Sequence, residues 1–462
     1  MRASFTFTTL AILLLAWSPT DEQARLRSDI KDRDLEKLAG FVDGYFQGLE
    51  GELLGQRDSR HQQVQSLTGL EEEMANLAKR AKLQGSPLRF LGDWEHIVEM
   101  AKPQERDLTS KAGRGFELRQ FDDPYGESAS IAYLLSLPKD YAKSDALLPA
   151  VLVLTPPLGL TGKGLEDALK GHAEAVYGDL TEQAIILIPI GPMRGEGRKL
   201  ETQEVTTSWL TPEGMLTCFT TMRVLSEQVR FDRSRLVLDG WGAAGGDALR
   251  LASRAPQWFC GVINRGGDIG PLGDVIDLNL ATVPVAYVAV GEGAGSADPS
   301  RIEALDAEVI SHAGGSMEPT EEARTAIASW IEQRRRELVP TTIDFMMDAI
   351  EYQSIFWVKA SHITRRPTAT PEDEDFPRIK AVADRSKNTI VIDTVSIVDG
   401  VWIYLSDALV DLDKPVTITV NGKERLTETF DRSVQTMLEN RFFNNSGDLG
   451  IYTAEVLIED ID

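Results

Sequence analysis

The stretch Arg235–Pro256, RLVLDGWGAAGGDALRLASRAP, runs from an apolar segment through four glycines within seven residues into a helix-periodic segment. It reads as a buried strand, a tight glycine turn and a helix. The turn comes to its point at Gly242, between Trp241 and Ala243. Two further apolar runs, LPAVLVLTPP and QAIILIPIGP, precede it, and FCGVINRGG and VPVAYVAVGEG follow. Runs without polar alternation are the mark of strands buried on both faces. Helical segments separate them, ending with EEARTAIASWIEQRRREL, so residues 113–339 are expected to form an α/β domain with a doubly wound, mostly parallel sheet. FELRQF and SIAYLLSLP open it as a strand pair turning at DDPYGE. The basic cluster Arg334 to Arg336 reads as a solvated cap on the last helix, where it suits the dipole.

At 462 residues the chain exceeds one ordinary core. Before the α/β region, residues 21–112 are expected to be helical. Leu38, Phe41, Val42, Tyr45, Phe46, Leu49 and Leu53 recur at three- and four-residue steps, and Val64, Leu67, Leu70, Met74 and Leu77 do so again after GQRDSRHQQ. These predict two antiparallel helices, with a third in SPLRFLGDWEHIVEMA, as a prodomain or adaptor. After Pro340 period-two runs dominate, among them SIFWVKASHI, TIVIDTVSI and PVTITVNGKERLTETF, with Asn421-Gly422 as a hairpin turn. Residues 340–462 are therefore expected to be a small β-sandwich. TATPEDEDFP is a charged loop within it, and Asn444-Asn445-Ser446 matches a glycosylation sequon.

Hydrophobic content of 42% and charged content of 26% suit a soluble globular chain. Net charge of -24 repels nucleic acid and anionic membrane surfaces. The N-terminus carries Arg2, an apolar run from Phe5 to Trp17 and a polar break, the pattern of a signal peptide over 1–20. The expected location is secreted, or the periplasm or cell envelope; an uncleaved anchor or a buried helix is the other reading of the run. Cys218 and Cys260 lie in apolar segments, as two buried thiols or a pair, and His61, His96, His172, His312 and His362 lack metal-ligand spacing. Neither a metal nor a cofactor is expected.

With these segments quoted, a resemblance can be stated. From Phe116 to Leu338 the chain resembles the α/β-hydrolase superfamily, within it secreted esterases and polymer depolymerases of the feruloyl esterase and esterase D type. SIAYLLSLPKDYAKSDALLPAVLVLTPP looks like their opening strand, buried strand and oxyanion loop. FDRSRLVLDGWGAAGGDALRLASRAPQWFCGVINRGG is similar to their stretch carrying G-x-S-x-G, the following helix and the next strand. The resemblance implies a serine nucleophile on the turn, a histidine base, an orienting acid and backbone N–H donors facing the oxyanion.

The departures fall on that chemistry. The turn is Gly240-Trp241-Gly242-Ala243-Ala244, so the nucleophile position is Gly242, which has no nucleophilic atom. The oxyanion loop is Thr155-Pro156-Pro157-Leu158; the prolines cannot donate, while Leu158 and Ala243 can. Loss of one such donor typically costs about 3 kcal/mol of transition-state stabilisation. The acid falls on Asp298, with Glu292 as a weaker candidate. The base position falls on Ser316, or on His312 if the loop is short, and His312 otherwise reads as a surface histidine at a strand end. Trp241 either closes or lines the cleft or packs in the core above the turn.

Three functions follow from these readings. The first is a catalytically inactive pseudo-esterase that binds a protein or polymer ligand. The second is an active carboxylic-ester hydrolase with a displaced nucleophile, such as Ser296 or Ser316 with His312. The third is a scaffold in which the helices mediate assembly.

Overall fold

The computed structural model describes residues 28, 30–53, 55–83, 85–101, 112–121, 131–143, 147–160, 162–178, 180–190, 193–194, 204–205, 208–267, 274–290, 299–312, 319–347, 353–363, 377–443 and 450–461. The N-terminal run, DDPYGE, TATPEDEDF and the sequon at Asn444 lie outside these residues.

The central sheet is built from β1 (Glu117–Phe121), β2 (Ile131–Ser136), β3 (Ala150–Leu154), β4 (Ile185–Pro189), β7 (Leu236–Trp241), β8 (Gly261–Arg265), β9 (Val285–Val290) and β10 (Glu308–His312). The short strands β5 (Met193–Arg194) and β6 (Glu204–Val205) pair separately. The order across the large sheet is β1-β2-β4-β3-β7-β8-β9-β10. β2 runs antiparallel to both neighbours, and every pairing from β4 to β10 is parallel. This is the mostly parallel sheet expected from the apolar runs.

Why those runs lack alternation is visible in β3. Leu152 and Leu154 join one apolar cluster, with Cys218, Met222 and Leu225 of α5 (Pro212–Gln228) and Ala248, Leu249 and Ala252 of α6 (Ala243–Arg254). Val151 and Val153 join another, with Leu165, Leu169 and Tyr177 of α4 (Gly162–Tyr177) and Ile327 and Trp330 of α9 (Glu321–Gln333). With helices on both faces, no strand position can be polar without a buried partner. The helices α7 (Asp274–Leu280) and α8 (Pro299–Ala304) complete this part. Cys218 and Cys260 are both buried and both free.

After Pro340 the strands form two sheets. One has the order β11 (Thr342–Met346), β14 (Arg378–Asp384), β15 (Thr389–Val395), β17 (Val416–Val420) and β18 (Lys423–Glu428); the other has β12 (Ser354–Ile355), β13 (Val358–Ile363), β16 (Ile397–Leu405) and β19 (Ala454–Glu459). Their inward residues share one apolar cluster, including Ile379, Ile392 and Ile418 from the first sheet and Val358, Val401 and Ile403 from the second. Asn421 (φ 51°) and Gly422 (φ 73°) turn the chain between β17 and β18, with Val420 opposite Lys423. Two successive left-handed residues are what a two-residue hairpin requires.

The expected N-terminal helices are α1 (Asp32–Leu53), α2 (Ser59–Ala81) and α3 (Leu91–Met100). None of the described helices is long and apolar enough to cross a membrane. Their packing differs from a detachable prodomain. Leu38, Val42, Tyr45, Leu70, Trp94 and Ile97 share a core with Val434, Met437 and Leu438 of α10 (Val434–Phe443), a helix inside the region expected to be strands. The Tyr45 hydroxyl donates to Glu439 at 3.3 Å, and the Phe46 and Phe442 rings lie 5.8 Å apart. The apolar residues of α10 are few and spaced within a polar run, too short a pattern to outweigh the flanking strands, and the partner face is almost 400 residues away in sequence.

Leu438 is completely buried in this shared core. Leu438→Ala should therefore destabilise the protein by about 2–5 kcal/mol. Hydrogen exchange should speed up in α1 as well as in α10, and unchanged protection of α1 would mean that the shared core does not couple them.

Candidate functional site

The glycine turn stands at the C-terminal edge of the central sheet. β7 ends at Trp241, Gly242 takes φ 49° and ψ -124°, and α6 begins at Ala243. That conformation is strained for a residue with a Cβ. The Gly242 N–H donates to the Arg265 carbonyl at 2.9 Å, and the Gly242 carbonyl accepts from Gly245 N–H at 2.9 Å. Close approach explains the glycines beside it, since a Cβ on Gly240 would run into the Ala244 carbonyl and one on Gly245 into the Asn264 side chain.

Beneath the turn lies a polar network that the sequence reading missed. Asp239 and Arg265 are both buried and pair through three contacts, Nε to Oδ1 at 2.8 Å, Nε to Oδ2 at 2.9 Å and Nη2 to Oδ2 at 2.6 Å. The Tyr177 hydroxyl donates to Asp239 Oδ2 at 2.7 Å and accepts from Trp241 Nε1 at 3.2 Å. Burial opposes the charge on Arg265, but the Asp239 carboxylate more than offsets it and raises its pKa. Burial, reinforced by Asp239, holds the Tyr177 phenol well above its ordinary value. The signal was present in the runs RLVLDG and GVINR, where a lone charge in a doubly covered strand requires a partner.

Trp241 is thus a core residue, 3% exposed and packed toward α4, and it does not line the space above the turn. His172 of α4 meets it edge-on. His172 Nε2 is buried and has no hydrogen-bond partner among the described residues. Burial, with the Arg265 charge adding to it, lowers the His172 pKa to about 4.

The register of β3 with β7 sets Leu154 opposite Gly240, which brings loop 155–160 beside the turn. The buried Trp209 indole donates to the Thr155 carbonyl at 2.9 Å, and Asp247 of α6 accepts from Trp209 N–H and the Ser208 hydroxyl, both at 2.8 Å. Pro157, Leu158 and Ala243 are all exposed on this edge. The Ala243 N–H, first in α6, lies among the donors a helix start leaves without intrahelical acceptors. An anion could meet that donor, but neither Gly240–Gly246 nor Pro156–Leu160 carries a hydroxyl, thiol or imidazole.

The other expected site residues are not gathered here. His312 ends β10, three strands from β7, roughly 14 Å at about 4.8 Å per strand. It is 4% exposed, which corrects the surface reading, and its Nδ1 accepts from Thr320 N–H at 3.1 Å. Thr320 caps α9 through its hydroxyl, so the ring is held against the start of that helix. Glu292, Ser296, Asp298 and Ser316 lie outside the described residues. Among the described residues no group of three or more His, Cys, Asp or Glu is placed to hold a metal ion.

No protein-family model and no curated protein matches the chain. Solved structures similar to it include a thermostable esterase (16% identity, TM-score 0.36), matched over 48% of this chain and 64% of that one. An S-formylglutathione hydrolase from Agrobacterium tumefaciens matches at 14% identity and TM-score 0.34 over 48% of this chain and 96% of its own. A ferulic acid esterase matches at 14% identity and TM-score 0.31 over 47% and 97%.

The depressed pKa of His172 predicts a pH effect with a definite sign. Below its ordinary value near 6.5 the unfolded chain takes up a proton that the folded protein refuses until about pH 4. Stability should therefore fall as pH drops through that window. In His172→Leu the fall should be shallower, measured as Tm against pH for both proteins; parallel curves would show that His172 does not titrate in this way.

Proposed function

We propose that the chain is an exported, hydrolase-fold protein that does not turn over esters and uses its frame to bind a partner or polymer, or as scaffold. The observation that carries this reading is Gly242 at the point of the strand-to-helix turn, in a backbone conformation strained for other residues, with no nucleophilic atom. Two further features support it. Pro156 and Pro157 remove donors from the facing loop, and His312 is engaged with Thr320 at the far side of the sheet. A nucleophile and its base act only within hydrogen-bond reach, about 2.6–3.2 Å. Export rests on the apolar run after Arg2. The 113–339 hydrolase-like part, the helices before it and the sandwich-like sheets after it form the proposed division of labour, with any binding role assigned to the former cleft or to the sandwich.

The test is direct. The wild-type protein should hydrolyse short p-nitrophenyl esters no faster than buffer and should not react with a fluorophosphonate serine probe. Gly242→Ser alone should recover little, because an unactivated serine is a weak nucleophile. Adding Ser316→His should recover more than the single change if Ser316 stands at the lost base position. Stoichiometric probe labelling of wild type at Ser296 or Ser316, lost in His312→Ala, would replace this reading with an active ester hydrolase whose site has moved.

A further inference from the structure

Where the α/β part meets the sheets that follow it, a cavity of about 250 Å³ opens beside strand β11. Its buried lining is apolar: Pro256 and Phe259 from the segment after α6, Ile343 and Phe345 of β11, and Ile355 and Phe356 from the hairpin of β12 and β13. In that hairpin Ile355 stands opposite Val358, so Phe356 and Trp357 form a two-residue turn. Phe356 takes φ 49° at its first position, where glycine is the usual residue and a bulky side chain is rare. The ring is nevertheless held in the cavity wall, 8% exposed. Backbone strain of this kind gathers at ligand clamps and active sites.

The side of β11 that faces this cavity is an open sheet edge, since β11 pairs with β14 alone. Two bonds flanking that pairing set its phase: the Ala383 N–H donates to the Thr341 carbonyl, and the Met347 N–H donates to the Pro377 carbonyl. Hydrogen-bonded and non-hydrogen-bonded residues alternate along an antiparallel ladder, so Thr342, Asp344 and Met346 turn their N–H and C=O groups away from β14. At Met346 both groups are met by one side chain. Asn279 of α7 accepts from the Met346 N–H at 2.9 Å and donates to its carbonyl at 2.8 Å, as a residue of a neighbouring strand would. At the other end the Trp357 indole donates to the Pro340 carbonyl at 2.6 Å, and proline has no N–H to offer. Between these two caps the main-chain groups of Thr342 and Asp344 have no partner among the described residues, and both residues line the cavity.

We propose that this window binds a short extended peptide segment, which adds as a strand beside β11 and sets an apolar side chain against Phe345 and Phe356. Alternating main-chain donors and acceptors on a sheet edge are matched by another extended backbone, and a strand so added points alternate side chains into whatever lines its inner face. Here that lining is apolar. The caps at Pro340 and Met346 set the length: the open groups of Thr342 and Asp344 span about three residues of ligand, roughly 10 Å at about 3.4 Å per residue. The same caps deny a second copy of this chain the continuous ladder that pairing of whole edge strands requires. A volume of about eight waters at about 30 Å³ each suits one side chain with its main chain. The site lies apart from the glycine turn and does not depend on whether that turn is catalytic.

The test is isothermal titration of the full chain with the blocked tripeptide acetyl-Val-Leu-Val-amide. One equivalent should bind saturably and raise Tm. Two further peptides carry N-methyl groups, one on the middle residue and one on both outer residues. Only alternate residues of an added strand face β11, so their affinities should differ about tenfold or more, the scale of two lost main-chain hydrogen bonds. Thr342→Pro removes an N–H that β14 does not use, and an edge strand tolerates proline there, so the variant should fold and bind the unmethylated peptide about tenfold more weakly. If Thr342→Pro does not fold, the methylated pair decides the matter on the wild type. Absence of saturable binding, equal affinity for the two methylated peptides, or undiminished binding by folded Thr342→Pro would overturn the proposal. So would a dimer in sedimentation that the peptide dissociates, because the occupant would then be a second copy of this chain.

Discussion

The buried pair Asp239–Arg265 is the constraint around which the centre of this protein is organised. Neither charge can stand alone in a sheet covered on both faces, and removing one partner of such a pair typically costs about 3–5 kcal/mol. The pair fixes β7 against β8 at the edge where the turn forms, and the Arg265 carbonyl receives the N–H of Gly242. Tyr177 and Trp241 extend the same network toward α4, the Tyr177 hydroxyl donating to Asp239 and accepting from the Trp241 indole. The turn is thus held by a scaffold that needs no catalytic group to keep its shape.

This network explains how the turn keeps a backbone conformation that is unfavourable for a residue with a Cβ, with Gly242 at its point. A serine at the point of the turn must hold an unfavourable backbone conformation, which the surrounding packing has to enforce. Glycine occupies the same conformation with little strain. The packing around it is tight, in the close fit of Gly240 under the Ala244 carbonyl and of Gly245 against Asn264. On the facing loop, Trp209 and Asp247 hold Thr155 and the start of α6 together, so the edge keeps its outline as well.

Much of the central sheet was legible because burial on both faces leaves an unmistakable mark, as in AVLVL and IILIP, and because the glycines clustered between Gly240 and Gly246 mark the change from strand to helix. Helix α10 was not legible: Val434, Met437 and Leu438 acquire meaning only against the distant faces of α1 and α3. The turn at Gly242 and the loop 155–158 were readable as the ends of buried strands, because each follows directly on its own apolar run. The setting of His312 was not readable, since its burial and its bond to Thr320 depend on where β10 and α9 lie in the sheet. Arg336 shows the same limit. Beside Arg334 and Arg335 it reads as part of a solvated cap, and only the meeting of distant segments around it makes it a buried cavity wall.

The claim that the frame maintains a strained turn, relieved by glycine, is most directly measured by equilibrium urea unfolding of wild type against Gly242→Ser. Because Gly242 sits at φ 49° and ψ -124°, the serine protein should lose about 1–3 kcal/mol of stability while keeping its fold. Equal or greater stability of the serine protein would contradict the account, because the turn would then carry no strain for glycine to relieve.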